Sequence, residues 1–202
     1  MMNRRSSRKA LAAAFTLVEL MIVVALIAII VTLSAPSFRD MILMQRLRGI
    51  NAQLVTDLSL ARSEAISRGV FVGVHIPAVS GGMSCYIIYT RTTLAAPLCD
   101  CTAAAGFRCT DATQTTEVRT VQVPTDMVVR LGVPTGQADN FTFDPRTGGM
   151  KLAPSDFGIY DTSGFRVETY IDDARKLRTA VSLSGRVTVC TPSGSGIGGV
   201  PC

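Results

Sequence analysis

The stretch RRSSRKALAAAFTLVELMIVVALIAIIVTLSAPSF, Arg4 to Phe38, decides the reading of this chain. Basic residues come first (Arg4, Arg5, Arg8, Lys9), the small run Ala12-Ala13-Ala14 second, and the apolar run last. An ordinary secretory signal places its small-residue cleavage site after the apolar run. From Leu20 to Val31 no residue is polar, and Leu17, Val18 and Leu33 extend the run. A bilayer span needs about 20 mostly apolar residues. Phe15 to Pro36 supplies that length if Thr16, Glu19, Thr32 and Ser34 are tolerated. A buried core helix would satisfy the same composition. The cations on one flank, with no acid before Phe15, instead match the positive-inside rule. That rule predicts Met1 to Lys9 in the cytoplasm and the chain beyond Pro36 on the outer side.

A cut after the alanines would remove the charge and retain the apolar helix. Glu19 is then the anomaly, because an ionised carboxylate within a bilayer costs on the order of 3 kcal/mol on insertion scales. It either sits near enough to the interface to reach water or awaits a cation. A cut before Phe15 creates an α-amino group one helical turn from Glu19, and a neighbouring subunit's amine could serve equally.

AFTLVELMIVVALIAIIVTLSAPSF, from Ala14 to Phe38, resembles the class III signal of type IV pilins and type II secretion pseudopilins. The resemblance covers the cut site between Ala14 and Phe15, the Phe-Thr-Leu-Val-Glu stretch, the apolar helix and Pro36 as a helix kink. It implies cleavage by a prepilin peptidase, N-methylation of Phe15, and Glu19 as an assembly residue. The family's residue before the cut is usually Gly, whereas here it is Ala14.

Bulk charge excludes a globally basic nucleic-acid binder. The chain of 202 residues carries +5, but the four N-terminal cations account for +4, leaving 16 bases against 15 acids. Only a local patch could attract a polyanion. Hydrophobic content of 48% with 17% charge is rich for a soluble domain, and much of that excess sits between Leu17 and Leu33.

Met44, Leu47, Ile50, Leu54, Leu58, Ala61 and Ala65 recur at three- and four-residue steps. They predict an amphipathic helix from Phe38 to Arg68, with Gly69 closing it. Arg46, Arg48, Asp57, Arg62, Glu64 and Arg68 fall on the opposite, exposed face, as solvated or filament-packing charges. LSLARSEAISRG (Leu58–Gly69) resembles the segment after the membrane helix in GspH/FimT-type minor pilins and pseudopilins. Beyond Gly69, VFVGVHI, SCYIIYT, EVRTVQV, MVVRLGV, NFTFD, FRVETYI and LRTAVSLSGRVTVC read as strands, punctuated by Gly, Pro, Asp and Ser. The expected fold is α+β, a long N-terminal helix packed on antiparallel sheet. FDPRTGG (Phe143–Gly149) resembles a turn of the same subfamily. The expected organisation is a leader over 1–14 and a transmembrane assembly helix over 15–36. An amphipathic helix over 37–69 and a periplasmic β-rich domain over 70–202 complete it.

Cys85, Cys99, Cys101, Cys109, Cys190 and Cys202 all follow the apolar run. The C-x2-C pairs of zinc sites are absent and His75 is the sole histidine, so disulfides are expected and metal is not. Cys190 and Cys202 enclose a Gly/Ser/Pro loop and are paired; the other four allow three connectivities. Three of those four fall in the long Arg91–Thr116 stretch, a length that usually means function or mobility.

With one histidine, no phosphate-binding Gly loop and no metalloprotease helix, no enzyme activity or cofactor is expected. The resemblance implies a minor subunit that helps to initiate or cap a filament of a type IV pilus or a type II secretion system. It would sit as a single-pass protein in the inner membrane, with other pilin-like subunits as partners. The alternative is DNA capture for uptake. FimT-like pilins use a G-R-x-R stretch, which here reads Gly185-Arg186-Val187-Thr188, with Arg178 nearby in sequence.

Overall fold

A computed structural model of the chain describes residues 16–79, 82–151 and 164–202. Ala14 and Phe15, the expected cleavage pair, lie outside the described residues. Helix α1 spans Leu17–Arg68. Nine strands follow among the described residues: β1 (Phe71–His75), β2 (Met83–Arg91), β3 (Thr115–Pro124), β4 (Arg130–Gly132), β5 (Asn140–Phe143), β6 (Met150–Lys151), β7 (Phe165–Asp172), β8 (Arg175–Val181) and β9 (Val187–Cys190). The chain divides into two compact units, one ending at Ile42 and the other Leu43–Cys202.

In the first unit, Thr16 caps α1: the Glu19 backbone N–H donates to Thr16 Oγ1 at 3.2 Å. Thr16 and Glu19 are the first and last residues of T-L-V-E, the spacing of a capping box. The helical backbone continues through Pro36. By length and composition this helix could cross a membrane.

The second unit is built on one stripe of α1. Leu47, Leu54, Leu58, Ala61 and Ala65 are fully buried, as their spacing predicts, and Gly69 at φ 65° ends the helix. Two antiparallel sheets receive that stripe, one ordered β3-β2-β1-β5-β6 and the other β4-β7-β8-β9. The main core joins Leu54, Leu58, Ala61 and Ala65 to Val72, Val74, Tyr86, Ile88, Phe141, Phe143, Phe165, Val167 and Val181. Burying each such Leu or Phe side chain contributes about 1.5–3 kcal/mol.

Three sequence expectations need correction. Asp57 is buried, 2% exposed, not solvated. Its Oδ2 accepts from the Tyr86 hydroxyl at 2.6 Å and from Arg119 Nε at 2.9 Å, locking α1 onto β2 and β3. Burial, and then the bond to Asp57, push the Tyr86 hydroxyl pKa upward. The run LRTAVSLSGRVTVC is two strands, β8 and β9, around a turn in which the Gly185 N–H donates to the Ser182 carbonyl. MVVRLGV narrows to β4 because Met127 ends a 3-10 turn and Val128 adopts φ 66°.

Strand β2 is buried on both faces. Tyr86 and Ile88 enter the main core, while Cys85, Ile87 and Tyr89 form a second cluster with Cys99 and Cys101. The stretch over 92–114 therefore lies on the sheet as a cover. Disulfides Cys85–Cys101 and Cys99–Cys109 staple it, which settles the connectivity among those four cysteines. A third disulfide, Cys190–Cys202, closes a terminal loop whose Ile197 packs with Leu47, Val129 and Leu177.

Candidate functional site

From Leu17 to Val31 the large apolar side chains are 45–74% exposed. This run coincides with the segment that sequence reasoning assigned to assembly. That exposure runs around the whole helix circumference. A helix apolar on all sides is solvated by lipid or by other apolar helices. Glu19 sits in the first turn, where the helix dipole favours a carboxylate. That N-terminal placement is a local reason for an acid here, legible in T-L-V-E.

Arg178 and Arg186, the two cations singled out for DNA, occupy different settings. Arg178 lies on β8 and donates to Glu168 Oε1 of β7 from Nη2 at 2.7 Å and from Nε at 3.2 Å. Lys176 Nζ lies 3.9 Å from the other oxygen of Glu168, and Arg175 pairs with Asp172 at 2.6 Å. The cations of β8 are thus largely answered by acids of β7. Arg186 is exposed at the β8–β9 turn and lines an open groove with Ser59, Arg62, Ser63 and Ile66 of α1.

Glycines set the floor of that groove. Gly185 has φ +77°, and a Cβ there would stand 2.0 Å from the Gly148 carbonyl oxygen. That same carbonyl accepts from Arg62 Nε at 3.0 Å. The turn FDPRTGG is held internally by Asp144, whose Oδ1 accepts the N–H groups of Arg146 at 2.8 Å and Thr147 at 3.0 Å. Its Oδ2 pairs with Lys151 at 3.0 Å. The Lys151 bond leads the causes that lower the Asp144 pKa to about 2. Helix, turn and hairpin therefore meet by backbone approach, with Arg186 left projecting.

His75 and Arg91 hold the cover loop at opposite ends of the sheet. His75 Nδ1 donates to the Cys99 carbonyl at 2.7 Å, and its Nε2 lies 3.4 Å from Asp139 Oδ2. Burial opposes the imidazolium, yet the bonds to Asp139 and Cys99 outweigh it and the pKa rises. The His75 bond leads the causes that hold Asp139 down at about 2. Arg91, 3% exposed, donates to Thr142 Oγ1 at 2.9 Å, the Leu94 carbonyl at 2.8 Å and the Ala96 carbonyl. These residues read as structural clamps. No group of three or more His, Cys, Asp or Glu placed to hold a metal occurs among the described residues.

One long N-terminal helix against antiparallel sheets defines a pilin-like α+β protein. The family model described as "Type II transport protein GspH" matches residues 51–185. That span begins within α1 and ends at the Gly185 turn, so the chain belongs to the GspH family. A search of curated proteins returns no match. The solved structure of the minor pseudopilin EpsH from the type 2 secretion system of Vibrio cholerae is similar at 16% identity. The match covers 72% of this chain and 97% of that one, with a TM-score of 0.41.

Proposed function

We propose that the chain is a minor pseudopilin, a structural subunit that helps to initiate or cap a type II secretion filament. The observation that carries this reading is the exposed apolar run Leu17–Val31 in a chain of the GspH family. The organisation proposed is a leader ending at Ala14, a membrane and assembly helix from Phe15 to Pro36, an amphipathic continuation over 37–69 and a periplasmic domain over 70–202. The N-terminus faces the cytoplasm and the anchor lies in the inner membrane. A prepilin peptidase cuts between Ala14 and Phe15 and methylates the Phe15 amine. Glu19 pairs with an amine of this or a neighbouring subunit, and Pro36 bends the helix. The role is structural, and the partners are other pseudopilins.

The same parts would serve a type IV pilus, and family membership tilts the choice toward type II secretion. DNA capture has less support, since Arg178 is engaged by Glu168 and Arg186 stands alone on its turn. Terminal mass spectrometry of protein from membranes tests the processing reading. The expected mature chain starts at Phe15 with a methylated amine, and a start beyond Leu33 would mean an ordinary signal peptide.

A further inference from the structure

We propose that the groove between α1 and the β8–β9 turn is a docking site for an acidic segment of a protein partner, whose carboxylate is taken by Arg62 and Arg186. Three elements meet there: the last turns of α1, the Phe143–Gly149 turn and the hairpin turn at Gly185. The groove they leave is open and holds about 350 Å³. Each acid on these elements already has a cation of its own. Asp57 is taken by Tyr86 and Arg119, Glu64 by Arg68, and Asp144 by Lys151. Arg62 has only the neutral Gly148 carbonyl, bound through Nε at 3.0 Å. Arg186 donates its backbone N–H to Ser182 Oγ, and its side chain makes no hydrogen bond or ion pair among the described residues. No acid lines the groove, so these two charges are left without a counter-ion.

The two guanidinium groups belong to one site. A Cβ on Gly185 would stand 3.0 Å from Arg62 Nε, and Gly185 directly precedes Arg186 in the chain. Glycine at 185 therefore lets Arg62 reach the hairpin beside Arg186. The Gly148 carbonyl fixes Nε and leaves both Nη groups of Arg62 open. An arginine fork held in this way matches a carboxylate with two parallel hydrogen bonds and little ordering cost. The floor is also fixed: the Met150 N–H donates to the Leu183 carbonyl at 2.9 Å, and the Gly185 N–H to the Ser182 carbonyl at 2.8 Å.

The walls favour a peptide over a nucleic acid. Ile66 in the groove and Leu183 on the hairpin turn are each about half exposed, which suits a segment pairing an Asp or Glu with an aliphatic neighbour. Past Arg186 the strand runs Val187-Thr188-Val189 without a cation, so a run of phosphates finds no second foothold. Ser59 and Ser63 donate to the Val55 and Leu60 carbonyls of their own helix, which leaves recognition to the arginines. From Ser59 to Ile66 the helix rises about 10 Å, room for about three residues of extended chain. The inference stands on the groove alone and does not depend on the filament reading.

The test places a photoreactive amino acid at Ser63, exposed at the groove, in the full-length protein in its native membrane. The Ser63 hydroxyl bonds only within its own helix, so the fold is spared, and the three disulfides serve as the check. Irradiation should give an adduct with a protein, mapped by its peptides to within a few residues of an Asp or Glu. Arg186→Glu should lower the adduct yield about tenfold by like-charge repulsion. Replacing the mapped acid with Arg in the partner should restore the yield in the Arg186→Glu protein, which a merely structural role for Arg186 would not allow. An adduct with nucleic acid, an adduct remote from any acid, a yield indifferent to Arg186→Glu, no recovery on the charge swap, or no adduct would each overturn the proposal.

Discussion

Two halves of one helix treat the same kind of side chain in opposite ways. Between Leu17 and Val31 leucine, isoleucine and valine are 45–74% exposed, whereas Leu47, Leu54 and Leu58 are fully buried. Hydrophobicity does not distinguish these residues; periodicity does. The first run is apolar around the whole circumference and cannot be covered by one sheet face. The second is apolar along one stripe and is covered by two sheets. The first half is therefore left exposed among the described residues, as suits a helix that lipid or other apolar helices would cover. The second half is finished, and its energetics can be tested by ordinary unfolding.

The largest expected effect breaks that symmetry directly. Leu54→Ala should destabilise the Leu43–Cys202 unit by about 2–5 kcal/mol, through lost transfer energy and the cavity left behind. Leu26→Ala, chemically identical but in the exposed run, should leave the unfolding of that unit unchanged. Denaturant titration of the full chain in detergent, read by near-UV circular dichroism, makes the comparison. Equal losses would mean that the two halves are buried alike.

Next in size is the staple on the cover loop. Replacing Cys85 and Cys101 with Ser opens a link across 16 residues, worth about 3 kcal/mol by the chain-entropy model. The same titration should show that loss. A much smaller one would mean that the His75, Arg91 and Gln122 bonds to loop carbonyls hold the cover without the disulfide. Gln122 Nε2 donates to the Cys101 carbonyl at 2.7 Å, so a partial hold of this kind is built in.

A smaller effect is carried by pH. The His75 pKa is raised in the folded state, so the imidazolium binds its proton more tightly there than in the unfolded chain. Its contribution is fully present below the ordinary value of about 6.5 and is lost as pH rises through the raised value. Asp139, held at about 2, contributes above the ordinary carboxylate range and loses that contribution as pH falls toward 2. The pair should therefore stabilise the cover most between about pH 4 and 6.5. His75→Gln should abolish the neutral-side decline in thermal midpoints, and an unchanged profile would remove His75 from the account.

Much of this was legible in the sequence. The three-and-four spacing of Leu47, Leu54, Leu58, Ala61 and Ala65 gives the buried stripe directly, and β-branched runs give most strands. What escaped depended on partners distant in the chain. Asn51 falls within the buried stripe because its Oδ1 accepts from Thr169 Oγ1 at 3.2 Å and from Thr179 Oγ1 at 2.9 Å, 118 and 128 residues away. Asp57 looked solvated because nothing local reveals Tyr86 and Arg119 waiting on the sheet. Strand β6, only two residues long, has no periodicity to detect. The β8–β9 turn lies inside one long strand-like run, LRTAVSLSGRVTVC, although Ser-Gly at Ser184-Gly185 marks it. Cysteine connectivity within Cys85–Cys109 is a property of the folded sheet and not of spacing.

The central claim is that the exposed half of α1 is completed by other subunits, and Glu19 is where it can be tested most directly. Full-length wild type and Glu19→Val would be matched for membrane level, the filaments sheared off, and the amount of this subunit in them measured. Removing the carboxylate eases insertion by about 3 kcal/mol on insertion scales, so the membrane level should not fall. Losing a partnered charge within an apolar assembly costs up to about 3–5 kcal/mol, less where the amine can still reach water. The account predicts intact disulfides, normal membrane levels and clearly reduced recovery in the filament fraction for Glu19→Val. Equal recovery of the two proteins would contradict it, leaving Glu19 as the N-terminal acid of a capped helix and nothing more.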